Sequence, residues 1–404
     1  MSKTLIYNAC IIKKDGILDN AAVLIEDKII KAIYTSPAEV CCDCDEEIDA
    51  EGAYLMPGFI DLHSDNIERV AQPRPQSLID FDIAIREQEK QLVCQGITTM
   101  YHSLTIANSE ESKASEAKAK MLLRTPENHK KLVQVIRKHN DGDHLIHHRF
   151  HCRYDITNTC GYDMLIDFIK NRDMQLMSFV DHTPGQGQYR DLEFFKKHVM
   201  TDNQSDAEKD KILFERMSAA KITSQQIEDA AKMAKEAGIP MASHDDDSIE
   251  KLDYVMGNLG VNICEFPIEL EVAKEAHDRG LMVVVGANNI LMGRSHSNNL
   301  SALEAIRNNC ADILVSDYFP ASLLHAVFKI ADEGLLPLYQ AVNMATYNPA
   351  CAVGIGETTG SIEEGMIADL LIVGKRDKMP VVHAAFVDGK KVLNLNYREH
   401  IKSA

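Results

Sequence analysis

The sequence predicts an α/β protein built on a (β/α)8 TIM barrel, with a small β-sandwich domain formed by both termini. The middle of the chain alternates short apolar strands with helical patterns, whereas both ends are rich in strands and turns. Strand–helix alternation implies parallel strands joined by right-handed crossovers. Eight such units in roughly three hundred residues fit a closed barrel. We therefore expect a barrel over residues 57–360 and a small β domain made from residues 1–56 and 361–404.

Short apolar runs define the predicted barrel strands. They lie at residues 58–63, 97–102, 147–153, 176–181, 240–244, 262–266, 281–286 and 313–317. Helical patterns such as residues 114–123 and 227–237 lie between them, and Gly238 follows the second as a C-terminal cap. An open, doubly wound sheet is the alternative. The absence of a glycine-rich phosphate loop after any strand disfavours it.

Both ends of the chain have the texture of short strands. Residues 4–7, 10–12, 22–25 and 29–33 form one set, with a hairpin turn at residues 26–28. Residues 368–373 and 384–387 form the other set, and Asp388-Gly389 is a turn before residues 390–392. The simplest interpretation is one small β domain that contains both termini.

Composition limits the classes of partner. The net charge of −18 repels polyanions, which disfavours nucleic-acid binding. A small anionic substrate is still allowed, because metal ions and a few arginines can reverse the field inside a cleft. The sequence contains no run of eighteen apolar residues, so we expect no membrane partner. The oligomeric state stays open, a homo-oligomer included.

Cysteine usage indicates the compartment. Ten cysteines without a recognisable secretion signal predict reduced thiols and a cytoplasmic protein. The cluster Cys41, Cys42 and Cys44 has no second pair at zinc-finger spacing, and we interpret it as a surface loop rather than a structural zinc site.

Imidazoles and carboxylates follow one predicted strand end after another, where barrel enzymes place their active sites. One histidine at a strand end is usually an ordinary polar residue, but such a series is improbable by chance. We expect one or two divalent ions, Zn²⁺ first and Mn²⁺ or Fe²⁺ as alternatives. The candidate ligands are His63, Asp65, Asp155, His182, His244 and Asp317. Asp245, directly after His244, is a candidate for orienting an imidazole.

Two segments resemble the amidohydrolase superfamily. Residues 55–63, LMPGFIDLH, resemble the opening barrel strand of these enzymes, and residues 360–370, GSIEEGMIADL, resemble the return of the chain to their small β domain. The two segments bracket the predicted barrel. The resemblance implies a metal-dependent hydrolase with its site at the barrel mouth.

Five further segments resemble one subgroup, the PhnM-type diphosphatases of phosphonate catabolism. They are residues 63–75, 181–186, 242–246, 293–297 and 316–324. In this subgroup the enzyme releases pyrophosphate from α-D-ribose 1-methylphosphonate 5-triphosphate, ahead of cleavage by the C–P lyase system. The chain departs from the wider superfamily in having Asp65 in place of a second histidine. It also has no lysine between His144 and Ile169 to bridge two metals.

Hydrolysis of a triphosphate requires a hydroxide, charge neutralisation and an aligned leaving group. We assign Asp317 as the carboxylate that takes the proton from water. Arginine gives bidentate contacts to phosphate, and Arg74 stands between two prolines on a stiff segment, although it also fits a solvated loop. The candidate substrate-binding residues are Arg74, Gln186, Arg190, Arg294, Ser295, His296 and Tyr318.

Two other functions remain as alternatives. A cyclic-amide hydrolase or a deaminase, such as a dihydroorotase, hydantoinase or adenine deaminase, uses the same barrel and metal chemistry. The His63-x-Asp65 opening and the missing lysine disfavour it. A non-catalytic scaffold barrel that has lost its metals is disfavoured, because the sequence has the candidate ligands His63, His182, His244 and Asp317.

Overall fold

The computed structural model describes residues 2–40, 43–107, 122–198, 205–294 and 299–398. Its strands are β1 (Lys3–Lys13), β2 (Gly16–Glu26), β3 (Ile29–Tyr34), β4 (Glu46–Asp49), β5 (Tyr54–Pro57), β6 (Phe59–Ser64), β7 (Ile97–Ile106), β8 (His147–Asp155), β9 (Leu176–Val180), β10 (Met241–His244), β11 (Ile263–Glu265), β12 (Met282–Gly286), β13 (Ile313–Val315), β14 (Leu370–Arg376), β15 (Met379–Val387) and β16 (Lys390–Asn394). Its α-helices are α1 (Asn66–Ala71), α2 (Phe81–Cys94), α3 (Pro126–Asp141), α4 (Tyr162–Lys170), α5 (Leu192–His198), α6 (Asp206–Met217), α7 (Ser224–Glu236), α8 (Ile249–Tyr254), α9 (Leu270–Asp278), α10 (Ala287–Met292), α11 (Ala302–Arg307), α12 (Ser322–Asp332), α13 (Leu338–Asn343) and α14 (Tyr347–Ala352).

Strands β6 to β13 form one parallel sheet in sequential order. The sheet curls until its ends meet, where Ser64 at the end of β6 bridges to Asp317 just beyond β13. The backbone N–H of Asp317 donates to the carbonyl of His63 at 2.9 Å. The predicted barrel is therefore confirmed, and each predicted strand overlaps an observed one. The open doubly wound sheet is excluded.

Helices between the strands cover the outside of the barrel. Helix α7 shows why the sequence folds this way, since Thr223 and Gln226 form a capping box at its start. Gly238 lies just beyond its end with φ +72°, as the predicted C-terminal cap. The helix predicted at residues 114–123 lies mostly outside the described residues.

Strands from both termini form the second sheet, in the order β16-β15-β14-β5-β1-β2-β3, with β4 paired to β1. The antiparallel pairing of β5 with β14 joins the two ends of the chain, as the sequence predicted. Residues 4–7 and 10–12 belong to one strand, β1, which continues through an irregularity beside Asn8 at φ +53°. The result is one connected mixed sheet beside the barrel. Domain boundaries at residues 57 and 360 stay a prediction.

The chain passes from the terminal sheet to the barrel at Gly58. Its N–H donates to the carbonyl of Asp369 at 2.8 Å. A Cβ atom at this position would lie 2.1 Å from Oγ1 of Thr98, so only glycine fits without a shift. Close packing at this point fixes the start of β6, and therefore the position of His63 at its other end.

Two apolar layers hold the barrel together. The larger one packs the outer faces of the strands against the helices. A separate cluster contains buried residues of seven barrel strands and of α14, and it fills the barrel interior. No helix in the described ranges combines the length and apolarity needed to cross a bilayer.

Candidate active site

A cavity of about 420 Å³ opens at the carboxyl ends of the barrel strands, within the size range of small-molecule sites. Every candidate metal ligand named from the sequence lines it: His63, Asp65, Asp155, His182, His244 and Asp317. These residues come from five different strand ends. The barrel therefore brings together side chains that are as much as 254 residues apart in sequence, from His63 to Asp317.

Each of the three cavity histidines has its Nδ1 atom beside a carboxylate oxygen. The pairs are His63 with Glu265 at 3.1 Å, His182 with Asp155 at 2.9 Å, and His244 with Asp245 at 3.0 Å. A carboxylate that accepts from Nδ1–H fixes both the tautomer and the orientation of the ring. Nε2 then carries a lone pair rather than a proton. This arrangement is typical of histidines that bind metal ions.

The partners of the two ring nitrogens indicate the tautomer of His244. Nη2 of Arg153 lies 3.3 Å from Nε2 of His244, and a guanidinium can only donate. Nε2 is therefore the acceptor, and Nδ1 carries the proton shared with Asp245. Burial alone would raise the pKa of Asp245, but the adjacent His244 holds it below its ordinary value. The geometry agrees with the orienting role expected for Asp245.

Asp155 has both carboxylate oxygens engaged by the protein. Oδ2 pairs with His182, and Oδ1 accepts from the N–H and the hydroxyl of Thr157 at 3.0 and 2.6 Å. Burial would raise the pKa of Asp155, but the bonds from His182 and Thr157 keep it below its ordinary value. Both oxygens of Asp155 thus have protein partners, one of them on His182, and its role as a metal ligand stays a prediction.

Glu265, at the end of β11, is a residue of the site that sequence reasoning missed. It is fully buried, and one oxygen pairs with His63 while the other, Oε2, has no hydrogen-bond partner in the described part of the protein. Ligand atoms of His63, His151 and Glu265 lie within 4.8 Å of one another. His151 has both ring nitrogens within hydrogen-bond distance of protein oxygens, including Oγ of Ser178 at 3.0 Å. Glu265 is thus the stronger additional ligand candidate.

The electrostatics of these residues fit a divalent cation. Burial, with the charges of Glu68 and Asp317, raises the pKa of Asp65 to about 6. Oδ1 of Asp65, like Oε2 of Glu265, is buried without a hydrogen-bond partner among the described residues. Burial lowers the pKa of His63 well below its usual value, so its ring is neutral, as a ligand must be. Buried carboxylate oxygens beside neutral imidazoles are costly unless a cation compensates them.

Left-handed backbone conformations occur at three strand ends around the cavity. Asp245, Phe266 and Asp317 have φ values of +52°, +54° and +59°. Such conformations are uncommon outside glycine and often mark functional sites. At Asp317 the backbone is fixed by hydrogen bonds to β6, and Nδ2 of Asn288 donates to Oδ2 at 3.2 Å. The carboxylate is therefore held in place at the rim of the cavity.

Most of the predicted anion-binding residues that the structure describes lie outside the cavity lining. Arg74, Arg190 and Arg294 are exposed and do not line the cavity. Arg74 lies in a turn with Ser77, and Arg190 pairs with Glu269. Arg294 follows α10 on the surface. Gln186 is also absent from the lining, where Gln188 is present instead. Ser295 and His296 lie outside the described residues, and Tyr318 does line the cavity.

Four other arginines line the cavity: Arg69, Arg124, Arg153 and Arg216. They match in number the four aspartates of the lining, Asp65, Asp155, Asp245 and Asp317. Counted over these arginines and aspartates, the formal charge of the lining is thus zero (four positive minus four negative) in a protein of net charge −18. The cavity is far less acidic than the molecule as a whole, and a bound divalent ion would make it positive.

Comparisons with known proteins agree with this architecture. The Amidohydrolase family profile matches residues 54–393. The chain is 29% identical to the alpha-D-ribose 1-methylphosphonate 5-triphosphate diphosphatase of Escherichia coli (strain K12), over 93% of this chain and all of that protein. It is 33% identical to the 5-methylthioadenosine/S-adenosylhomocysteine deaminase of Syntrophomonas wolfei, over 25% of this chain and 19% of that protein.

Solved structures show the same fold. The N-acetylglucosamine-6-phosphate deacetylase from Pasteurella multocida superposes with a TM-score of 0.64 at 15% identity, covering 96% of this chain and 99% of that one. The ochratoxinase of A. niger superposes with a TM-score of 0.62 at 15% identity, covering 97% and 96%. Together with the family profile, which covers most of the sequence, these findings identify the chain as a member of the amidohydrolase family.

Proposed function

We propose that this protein is a metal-dependent diphosphatase that hydrolyses α-D-ribose 1-methylphosphonate 5-triphosphate and releases pyrophosphate. The observation that carries the proposal is the set of four arginines around a cavity that also holds the candidate metal ligands. A triphosphate is a polyanion that needs such donors, whereas a neutral cyclic amide does not. The relative that matches over its full length and carries this activity in its name supports the substrate.

In this proposal the cavity arginines hold the phosphate oxygens of the substrate. Nη2 of Arg124 donates to Glu68 at 2.8 Å, which fixes the direction of its guanidinium. Arg69 lies 5.3 Å from the ring centre of Tyr318. Nε of Arg153 is buried and has no hydrogen-bond partner among the described residues, so it has a donor available for a ligand. Guanidinium groups that are already oriented lose less conformational entropy when they bind a phosphate.

A divalent metal ion fits two requirements of the reaction, activation of the attacking water and polarisation of the phosphoryl group. A bound divalent ion would lower the pKa of water and polarise a phosphoryl oxygen, and zinc is the ion we expect first. The residues that would hold it are the cavity histidines His63, His182 and His244, the carboxylates Asp65 and Glu265, each with an unpartnered oxygen, and Asp317.

The residues of the chain perform the remaining steps. Asp317, held by Asn288, accepts the proton of the attacking water. The arginines orient the triphosphate so that the α-phosphorus is attacked and pyrophosphate leaves, and they offset the charge that develops on it. Phe266 packs edge-on against His63 and His244, with ring centres 5.1 and 5.5 Å apart, and excludes water from that side of the rings.

A substrate series tests the proposal. Zinc-loaded and manganese-loaded protein would be incubated with the ribose triphosphate, ATP, N-acetylglucosamine 6-phosphate and dihydroorotate, and pyrophosphate and amide hydrolysis would be followed in parallel. The His244→Ala protein serves as the inactive control. We expect pyrophosphate from the ribose triphosphate and turnover of neither amide. Turnover of an amide without release of pyrophosphate would support the amide hydrolase alternative instead.

A further inference from the structure

Two histidines and an aspartate meet at the amino-terminal end of β8, away from the cavity. His144 precedes the strand, His147 is its first residue, and Asp388 lies in the turn between β15 and β16 of the terminal sheet. One ligand atom from each of them lies within 4.8 Å of the other two. Eight residue-to-residue steps along the strand, at about 3.3 Å each, separate His147 from Asp155 by roughly 26 Å. The cluster is therefore separate from the candidate active site.

Each histidine of the cluster has one nitrogen committed to an oxygen of the protein. Nε2 of His147 lies 3.0 Å from Oδ2 of the buried Asp369, which also accepts the N–H of Asp388 on its other oxygen at 2.8 Å. Nδ1 of His144 lies 2.8 Å from the carbonyl of Gly142. Since carboxylates and carbonyls accept, these nitrogens carry the ring protons. The opposite nitrogens, Nδ1 of His147 and Nε2 of His144, keep their lone pairs.

The local potential favours a cation. Two carboxylates lie beside the imidazoles: Asp388 within the cluster, and the buried Asp369, whose Oδ2 lies 3.0 Å from Nε2 of His147. The nearby guanidinium of Arg149 donates to Asn140 and to the carbonyl of His148. The cluster thus combines two oriented imidazoles with one carboxylate, and a second carboxylate, that of Asp369, lies beside His147.

We propose that His144, His147 and Asp388 bind a divalent transition-metal ion, with zinc as the best match, at a second site distinct from the cavity. Two nitrogens and one oxygen, with water in the fourth position, form a ligand set that zinc accepts in proteins. Asp369 completes the site by orienting His147. The ion would link the start of β8 to a turn 241 residues later in the chain, and so fasten the terminal sheet to the barrel.

Zinc stoichiometry tests the proposal without reference to activity. Wild-type, His144→Ala and Asp388→Asn proteins would be dialysed to equilibrium against micromolar zinc, and bound metal would be measured per chain. Asparagine tolerates the φ of +49° at position 388, so the turn should persist. Replacing His147 is avoided, because it would leave the buried Asp369 without its partner. We expect both variants to bind one zinc fewer than wild type, and an Asp143→Asn control, changed at an exposed neighbour, to bind the full amount.

Anomalous diffraction at the zinc edge locates the ion. Crystals of the wild-type protein should show a peak among His144, His147 and Asp388, and the His144→Ala crystals should lose that peak while keeping any peak in the cavity. Equal zinc content in wild type and both variants, or no peak at these three residues in zinc-equilibrated wild-type crystals, would overturn the proposal. The proposed diphosphatase activity would be unaffected by that result.

Discussion

Arg216 is a cavity arginine whose removal should disturb the fold little. It lies near the end of α6, with its guanidinium 5.4 Å from the ring centre of Phe195, and it forms no ion pair with any residue in the described ranges. The Arg216→Ala substitution therefore removes a charge from the cavity wall and one cation–π contact. Loss of that contact costs about 0.5–1 kcal/mol of folding free energy, which a domain of this size tolerates.

The effect on catalysis is larger. A hydrogen bond to a charged group contributes about 1.5–3 kcal/mol. Because Arg216 is only half-buried, we take about 2 kcal/mol, which corresponds to a loss of about 30-fold in kcat/KM for the triphosphate. The Arg216→Lys protein keeps the charge without the planar fork, and its loss should be intermediate.

Steady-state release of pyrophosphate measures this effect, with thermal unfolding as a check that each variant is folded. Arg190→Ala is the matched control, because Arg190 is exposed, pairs with Glu269 and does not line the cavity. Its kcat/KM should stay within about twofold of wild type, since surface ion pairs contribute little. The reasoning is wrong if Arg216→Ala keeps wild-type kcat/KM, or if the Arg190 control loses as much activity.

Three further predictions concern metal, pH and packing. His244→Ala should lose at least one cavity metal ion per chain by elemental analysis together with its activity, and unchanged metal content would contradict the assignment. Burial raises the pKa of Asp61 to about 7 from 3.8, so the folded state holds a proton that the unfolded chain releases, and stability is lost as pH rises from about 4 to about 7. The difference in unfolding midpoint between metal-free Asp61→Asn and metal-free wild type should therefore increase in favour of the variant from about pH 4 to about pH 7, and stay constant above pH 7. A difference that is the same at every pH would refute the argument. Gly58→Ala should lower the free energy of unfolding by about 1–3 kcal/mol in denaturant titrations, because its Cβ meets Thr98, and a neutral outcome would show that Thr98 moves freely.

Much of the fold could be predicted from the sequence, because buried parallel strands appear as short apolar runs between helices. The limits of the strands could not. β13 ends at Val315 rather than at Asp317, whose left-handed backbone breaks the regular pairing. β1 is one strand where two were expected, because an irregularity at Asn8 does not end its pairing with β2. Such details depend on partners that are distant in sequence.

The candidate site was predictable where it follows strand ends and unpredictable elsewhere. His63, His244 and Asp317 follow strands directly, so chain order alone indicates them. Glu265 could have been found by applying the same rule to the sixth strand. Arg216 comes from α6, and only the packing of that helix brings it to the cavity.

Other expectations rest on the sequence alone. The cytoplasmic location and a homo-oligomeric state stay predictions, since they depend on the cell and on other copies of the chain. Zinc as the resident ion likewise stays a prediction, because the same imidazole and carboxylate ligands accept manganese or iron.

Hydrolysis in ¹⁸O-labelled water is the most direct test of the central claim, that the cavity cleaves a ribose 5-triphosphate at its α-phosphorus. Metal-loaded protein would be incubated with α-D-ribose 1-methylphosphonate 5-triphosphate, and the products would be followed by ³¹P NMR and mass spectrometry. We predict pyrophosphate without label and a sugar 5-phosphate that carries one ¹⁸O atom. Release of orthophosphate, or ¹⁸O in the pyrophosphate, would contradict the account. So would protein that leaves the triphosphate intact but opens dihydroorotate under the same conditions.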